Sequence, residues 1–350
     1  MVDSTNSYKA LVLHGAKTTQ LETFTQSPLL PGQVRVRLGA AGICGTDLHY
    51  YKDYGNAGFL LKNPVTLGHE AAGTVAELGP GVEGLAVGDK VVVNPVMNCG
   101  VCPACRRGQS NLCEKKRYPG SATTFPHVHG FFRELFETEA RCCFKVPADA
   151  DLARMAFVEP LACSLHAVEQ AGVIAGRKVL VTGAGPIGTL AAAAAKACGA
   201  GELTITDLND EPLVVARKMG ADRTVNVAQQ SLDEVVAESG LFDVAIEASG
   251  SPQAFAACIK ALRKGGTLIQ VGILPGADVP VAGNQIMLKE LTIKGSNQYT
   301  GEFERALQMI QGRRIDVMPM LTSQFTLDQA DEAFALAADR RRAMKVQFIA

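Results

Sequence analysis

The sequence predicts an α/β protein: a doubly wound parallel sheet plus a second, β-rich domain that is discontinuous in the chain. Three observations point there. The chain has 350 residues, enough for two domains at roughly 100–200 residues each. From Tyr8 to about Val146 it reads as short β-runs broken by Gly and Pro. After Glu159 the rhythm changes to strands alternating with helical stretches, the signature of βαβ units and a parallel sheet.

The polar opening MVDSTNSYK is expected to be loose, and it carries no hydrophobic signal core. KALVL, QVRVRL, GTVAEL and KVVV follow as strands, with turns at Pro31-Gly32, Gly79-Pro80-Gly81 and Gly88-Asp89. An irregular insertion occupies residues 94–132. KVLVT at 178–182 is a β-branched run leading into GAGPIG and a helix-prone TLAAAAAKA. ELTIT, a helix near Pro212–Met219, FDVAIEA, a helix near 252–263, GTLIQV and LTIKG continue the alternation. The alanine run 191–195 reads as a helix packed tightly on a sheet. Two helical patterns, 302–311 and 328–339, precede a last apolar run, KVQFI.

Composition narrows the function classes. Lys plus Arg number 34 against 35 for Asp plus Glu, a net charge of −1. That leaves no electrostatic basis for a nucleic-acid partner or an anionic membrane surface. No apolar run approaches the roughly 18 residues of a membrane span. Ten Cys without a signal segment fit a reducing cytoplasm poorly as disulfides. Four of them crowd together, and crowding of that kind reads as metal.

Gly183, Gly185 and Gly188 form G-x-G-x-x-G with Pro186 and Ile187 between them, directly after a β-run and opening a helix. The first Gly permits the turn, the second lets backbone approach a pyrophosphate, and the third lets helix pack on strand. The helix N-terminus offers N–H groups to the phosphates. Asp207 ends the next strand, where a carboxylate binds ribose hydroxyls and repels a 2′-phosphate. Leu208-Asn209-Asp210-Glu211 supply no cation to offset that repulsion. The expected cofactor is NAD.

Cys99, Cys102, Cys105 and Cys113 have the spacing C-x2-C-x2-C-x7-C. Four thiolates close a tetrahedral zinc shell and leave no position for substrate, so this site is expected to be structural. A DNA-binding ribbon is disfavoured by the balanced charge. An iron–sulfur cluster is the nearer rival. Cys44, in GICGTDLHYY, and His69-Glu70, in TLGHEAAG, end β-type segments and supply thiolate, imidazole and carboxylate. Glu159, in FVEPLACSLHA, stands where the two patterns meet, the place for a cleft ligand.

ICGTDLHYY, LGHEAAGTV, NCGVCPACRRGQSNLC, FVEPLACSLHA and LVTGAGPIG together resemble the zinc-dependent medium-chain alcohol and polyol dehydrogenases over essentially the whole chain. The sorbitol dehydrogenase branch is most similar. GSATTFPHVHGFF and MAFVEPLACSLHA are especially similar to L-idonate 5-dehydrogenases. The resemblance implies a GroES-like catalytic domain at 1–158 carrying the zinc lobe at 94–132. A Rossmann domain would follow at 159–296, and a segment at 297–350 would complete the catalytic domain. It also implies two zincs per chain, the catalytic one held by Cys44, His69 and Glu70, and a homo-oligomer, dimer or tetramer, in the cytoplasm. Glu159 would be a fourth ligand or hold the water; Cys is common there in alcohol dehydrogenases and Glu belongs to the polyol pattern. Zinc with one thiolate and one carboxylate is formally neutral, so only one of Glu70 and Glu159 is expected to bind at a time.

Thr46 and His49 match the family's hydroxyl and imidazole proton relay. Tyr50 matches a substrate-side position. Gln298-Tyr299 replaces an Arg-aromatic pair of the branch, exchanging a charged fork for an amide. His127 and His129 are candidate pocket residues, and Lys52 and Arg133 candidate carboxylate readers. The expected substrate is the secondary alcohol of a sugar acid or polyol, L-idonate oxidised to 5-ketogluconate first. A non-catalytic NAD sensor or a crystallin-like relative would lack the metal ligands that this chain keeps.

Overall fold

The computed structural model describes residues 6–276 and 278–350. The first strand, Ser7–Gly15, begins inside the stretch expected to be loose, and residues 1–5 lie outside the described residues. The chain divides into two compact units. The first comprises Met1–Glu159, Leu321–Asp339 and Lys345–Ala350; the second comprises Pro160–Met320 and Arg340–Met344.

In the first unit, Gln33–Gly42 is central to a seven-stranded sheet. Glu70–Leu78 pairs antiparallel on one side and Lys345–Ile349 on the other, with Leu135–Glu139 also pairing on Gln33–Arg37. Alternating apolar residues give this sheet its inner face: Val34, Val36, Val75, Val91 and Val93 are all buried. The chain's return is driven by aromatic burial. Phe348 packs edge-on to Phe132 at 4.8 Å and to Phe334 at 5.9 Å between ring centroids. The insertion at 94–132 holds only short helical turns and isolated bridges among its described residues.

The second unit is a six-stranded sheet. Its order is Arg223–Asn226, Glu202–Asp207, Lys178–Thr182, Phe242–Glu247, Leu262–Gln270 and Thr292–Gly295, and all pairs are parallel. The order reverses between Lys178–Thr182 and Phe242–Glu247, the switch point where open α/β sheets bind ligands. The helix Pro186–Ala197 buries all of Ala191–Ala195, small side chains that let it lie close to the sheet.

The second unit runs to Met320 rather than to residue 296. The helix Glu302–Gln311 buries Phe303, Ala306, Leu307 and Ile310. It is tied to the helix Val158–Gln170 by His166 Nδ1 and Glu302 Oε1 at 2.7 Å, both side chains buried.

Candidate active site

The glycine loop is shaped by what a side chain would strike. A Cβ on Gly188 would lie 1.8 Å from the Gly183 carbonyl oxygen, so only Gly lets this helix sit on this turn. Gly183 has φ +89°, and its Cβ would meet Ser249 backbone at 2.8 Å. A Cβ on Gly185 meets nothing within 4 Å, so backbone faces open space where a pyrophosphate has to approach. Asp207 stands beside this loop, its Oδ2 accepting from the Ala184 N–H at 2.8 Å. The residues present fit a dinucleotide.

A cation does reach this corner, from a part of the sequence not considered above. Arg341 Nε donates to Asn209 Oδ1 at 3.3 Å, and Asn209 N–H donates to Asp207 Oδ1 at 3.0 Å. Residues 208–211 supply no cation, as expected, and Arg341 brings one to their neighbourhood from the far end of the chain.

In the cysteine lobe, Cys99, Cys102, Cys105 and Cys113 place their sulfurs within 4.8 Å of one another. Cys99 and Cys113 Sγ are 3.5 Å apart, Cys102 and Cys113 Sγ 3.9 Å. A zinc tetrahedron with Zn–S of about 2.3 Å has edges of about 3.8 Å. An iron–sulfur cluster, whose sulfurs cap separate irons, needs a wider arrangement. Backbone N–H groups of Cys105 and Glu114 pull the Cys102 thiol down to about 6. The lobe fits one zinc.

The second cluster is built from three elements of the first unit. Cys44 is the N-cap of the helix Gly45–Asp53, at the positive end of its dipole. His69 immediately precedes the strand that Glu70 opens. Ligand atoms of Cys44, His69 and Glu70 lie within 4.8 Å of one another. Glu159, in the first turn of Val158–Gln170, lies outside that trio and interacts electrostatically with His69. His69, Glu70 and Glu159 are buried, with 3%, 1% and 3% exposure.

Burial lowers the basicity of the His69 ring, but Asp47, Cys44 and Glu159 outweigh it and hold its pKa well above the ordinary value. Burial pushes the Glu159 carboxyl up to about 7; His69 opposes that and Glu70 adds to it. A dry pocket holding sulfur, nitrogen and oxygen donors with surplus negative charge fits a divalent cation.

Three residues in this site had not been singled out. Asp47 accepts from the N–H groups of Cys44 at 2.9 Å and Gly68 at 3.1 Å and faces His69 Nδ1 at 3.6 Å. That places a carboxylate charge beside the ring, beyond hydrogen-bond length, while His69 Nδ1 makes no hydrogen bond among the described residues. Tyr118 donates to Glu159 Oε1 at 3.1 Å. Lys345, 3% exposed, reaches both Glu70 oxygens, at 2.8 and 2.6 Å, and the Ile43 carbonyl at 3.1 Å. Lys345 cancels one carboxylate, so the charge argument that admitted only one of Glu70 and Glu159 no longer holds. The signals were slight: Asp47 sits inside the quoted GTDLH, and Lys345 is the one cation of the last strand.

The other candidates divide. Thr46, half-buried, and His49, exposed, are three apart on one helix and share a face. Tyr50 is fully buried; its hydroxyl pairs with Ser121 Oγ at 3.2 Å and accepts from Ala122 N–H at 3.0 Å, so it anchors that loop. Gln298 has φ +54° and Tyr299 is buried against Phe303, both in the second unit. His127 accepts from Lys62 N–H at 2.9 Å and donates to the Thr124 carbonyl at 2.8 Å. His129 accepts from Thr66 N–H at 3.1 Å. These histidines staple loops. Arg133 is spent on the Gly130 carbonyl, the Tyr8 hydroxyl and Glu137, which removes it as a reader of substrate carboxylate. Lys52 is exposed.

Comparison with known proteins agrees with this geometry. Residues 30–148 match the alcohol dehydrogenase GroES-like domain, and residues 186–312 match the zinc-binding dehydrogenase domain. The chain is 37% identical to an L-idonate 5-dehydrogenase (NAD(P)(+)) of Escherichia coli (strain K12), over 90% of this chain and 91% of the relative. It is 32% identical to a sorbitol dehydrogenase of Bacillus subtilis, over 94% and 93%. The crystal structure of L-idonate 5-dehydrogenase from Escherichia coli superposes with a TM-score of 0.93 at 36% identity, covering 98% of both chains.

Proposed function

The chain belongs to the zinc-binding alcohol and polyol dehydrogenases, and we propose that it moves a hydride between the secondary alcohol of a sugar acid and NAD, with L-idonate and 5-ketogluconate as the pair. The observation that carries this reading is the cluster of half-buried Cys44 with buried His69 and Glu70, flanked by Glu159, in a chain that also has an open glycine loop. Cys44, His69 and Glu70 would hold the catalytic zinc, with Glu159 as a further ligand or as the partner of water. Cys99, Cys102, Cys105 and Cys113 would hold the structural one. The catalytic metal supplies Lewis acidity that makes a hydroxyl acidic near neutral pH. NAD supplies the acceptor for the hydride.

The chain's own groups do the remaining work. Asp47 holds a negative charge beside the His69 ring. Thr46 and His49 carry the substrate hydroxyl proton outward, the exposed imidazole handing it to solvent. Gly185 and the N-terminus of Pro186–Ala197 receive the pyrophosphate, and Asp207 the ribose hydroxyls. Gln298 is proposed to meet the substrate's hydroxylated chain, with Tyr299, 1% exposed, packed beside it against Phe303. With Arg133 engaged elsewhere, Lys52 is the remaining candidate for the carboxylate.

Neutral polyols are the second reading, favoured by Gln298, an amide that both donates to and accepts from hydroxyls. The deciding assay compares L-idonate, D-gluconate, sorbitol, xylitol and L-threonine at matched NAD in both directions. L-idonate is expected to lead. Sorbitol or xylitol about tenfold ahead in kcat/KM, roughly 1.4 kcal/mol of transition-state binding, overturns the sugar-acid reading.

A cytoplasmic location is supported by ten cysteines of which none is paired in a disulfide. Among the described residues, no helix is long and apolar enough to cross a membrane. Assembly into a homo-oligomer is supported by an uncovered sheet edge. Thr292–Gly295 is an outer strand with mostly exposed residues, next in the chain to a helix whose Met287 and Leu288 are each 65% exposed.

A further inference from the structure

The segment that leaves the four-cysteine lobe touches each element of the open site. From Cys113 it is held at several points. Lys116 N–H donates to the Cys113 carbonyl at 3.3 Å, and Lys116 Nζ donates to the Asn111 carbonyl at 2.8 Å. Arg117 and Met97 exchange backbone hydrogen bonds of 2.9 and 3.1 Å, closing the loop two residues before Cys99.

The next residue is Tyr118, 6% exposed. Its hydroxyl donates to Glu159 Oε1 at 3.1 Å, and its ring lies against the His69 ring at 5.3 Å between centroids. Gly120, at φ +67°, sits so close to the peptide before His69 that a Cβ there would meet Gly68 N at 2.8 Å. Ser121 pairs with the Tyr50 hydroxyl on the helix that Cys44 caps.

We infer that Tyr118 is a positioning residue through which the folded cysteine lobe sets Glu159 and His69 for metal binding at the open site. The inference rests on the two-zinc reading above. It assigns the lobe a task beyond its own stability: the rigid turn from Cys113 to Ser121 fixes where one hydroxyl and one ring stand. Tyr118 touches ligand candidates and not the reacting atoms, so it acts through them. Outer partners of metal ligands commonly govern affinity by about 10–100-fold.

The test uses the full chain with its zinc, released to the chromophoric chelator 4-(2-pyridylazo)resorcinol. The open-site zinc is identified as the phase missing in Cys44→Ser. Tyr118→Phe keeps the ring and removes the hydroxyl. The inference expects open-site release to quicken about tenfold, with the lobe zinc and the melting temperature unchanged. Gly120→Ala, which displaces the turn, is expected to quicken the same phase. Unchanged release in Tyr118→Phe overturns the inference, as does a common loss of both zincs and melting temperature. A parent chain that holds a single zinc overturns the two-zinc reading instead, which keeps the two failures apart.

Discussion

The cysteine lobe and the open cluster are both candidate metal sites of the first unit, and they differ in how their ligands are supplied. The lobe draws four identical donors from fifteen consecutive positions, 99–113. Its neighbours are backbone N–H groups, such as Cys99 N–H and Cys102 N–H donating to sulfur at 3.4 Å. The open cluster draws unlike donors from distant positions, and its neighbours are charged side chains: Asp47 behind His69 and Lys345 on Glu70. A site made of its own loop holds that loop and acts on other residues only through the segment that leaves it. A site assembled by the whole unit and surrounded by charge can tune what it binds.

The sharpest way to break this contrast is at the sulfurs. Cys44→Ser should reduce turnover to background with the melting temperature near that of the parent. Cys102→Ser should first lower stability, on the order of several kcal/mol for a lost structural metal. Turnover and thermal melts on both variants read the two effects, and equal stability losses would erase the distinction.

Lys345→Met comes next. It leaves the buried Glu70 carboxylate without its cation, a change worth about 3–5 kcal/mol when a buried pair loses one partner. The loss should be larger in metal-free protein than in zinc-loaded protein, because a metal replaces the missing charge. Denaturant melts of both forms measure it.

Substitutions in the second unit should leave both metals in place. Replacing Asp207 with Ser should narrow the preference for NAD over NADP. Arg341→Ala should widen it by about threefold to tenfold, because it removes the cation nearest the corner where a 2′-phosphate would lie, an exposed charge worth roughly 1 kcal/mol. Kinetics with the two cofactors decide this.

The smallest effect concerns Glu302. Burial alone would raise its pKa, but the hydrogen bonds from His166 and Thr300 outweigh that and hold it below 4.5. A depressed carboxyl contributes stability above its unfolded pKa and loses it as pH falls through the folded value. Glu302→Gln should therefore cost about 1–2 kcal/mol at pH 7. The gap should close on acidification below about pH 4.5, as followed by melts at stepped pH.

The same contrast explains what was legible in the sequence. The lobe and the glycine loop are local spacings, so Cys99 to Cys113 and Gly183 to Gly188 could be read without a fold. Cys44, His69 and Glu70 were legible through motif resemblance. Asp47, Tyr118 and Lys345 were not, because their meaning depends on which strands meet: Lys345 reaches Glu70 only because the last strand returns beside Gln33–Gly42. Arg133 and His127 illustrate the converse, since neighbours in the chain together with Tyr8 and Lys62 from other segments engage their polar atoms. The helix Glu302–Gln311 showed its amphipathic period clearly, but no period states which unit its apolar face will join.

The most direct test of unequal roles follows zinc content, turnover and melting temperature together while the enzyme is dialysed against increasing chelator. The account predicts two zincs per chain, turnover vanishing with the first to leave, and the melting temperature falling with the second. A single zinc per chain, iron with visible absorbance, or turnover and stability lost together would contradict it.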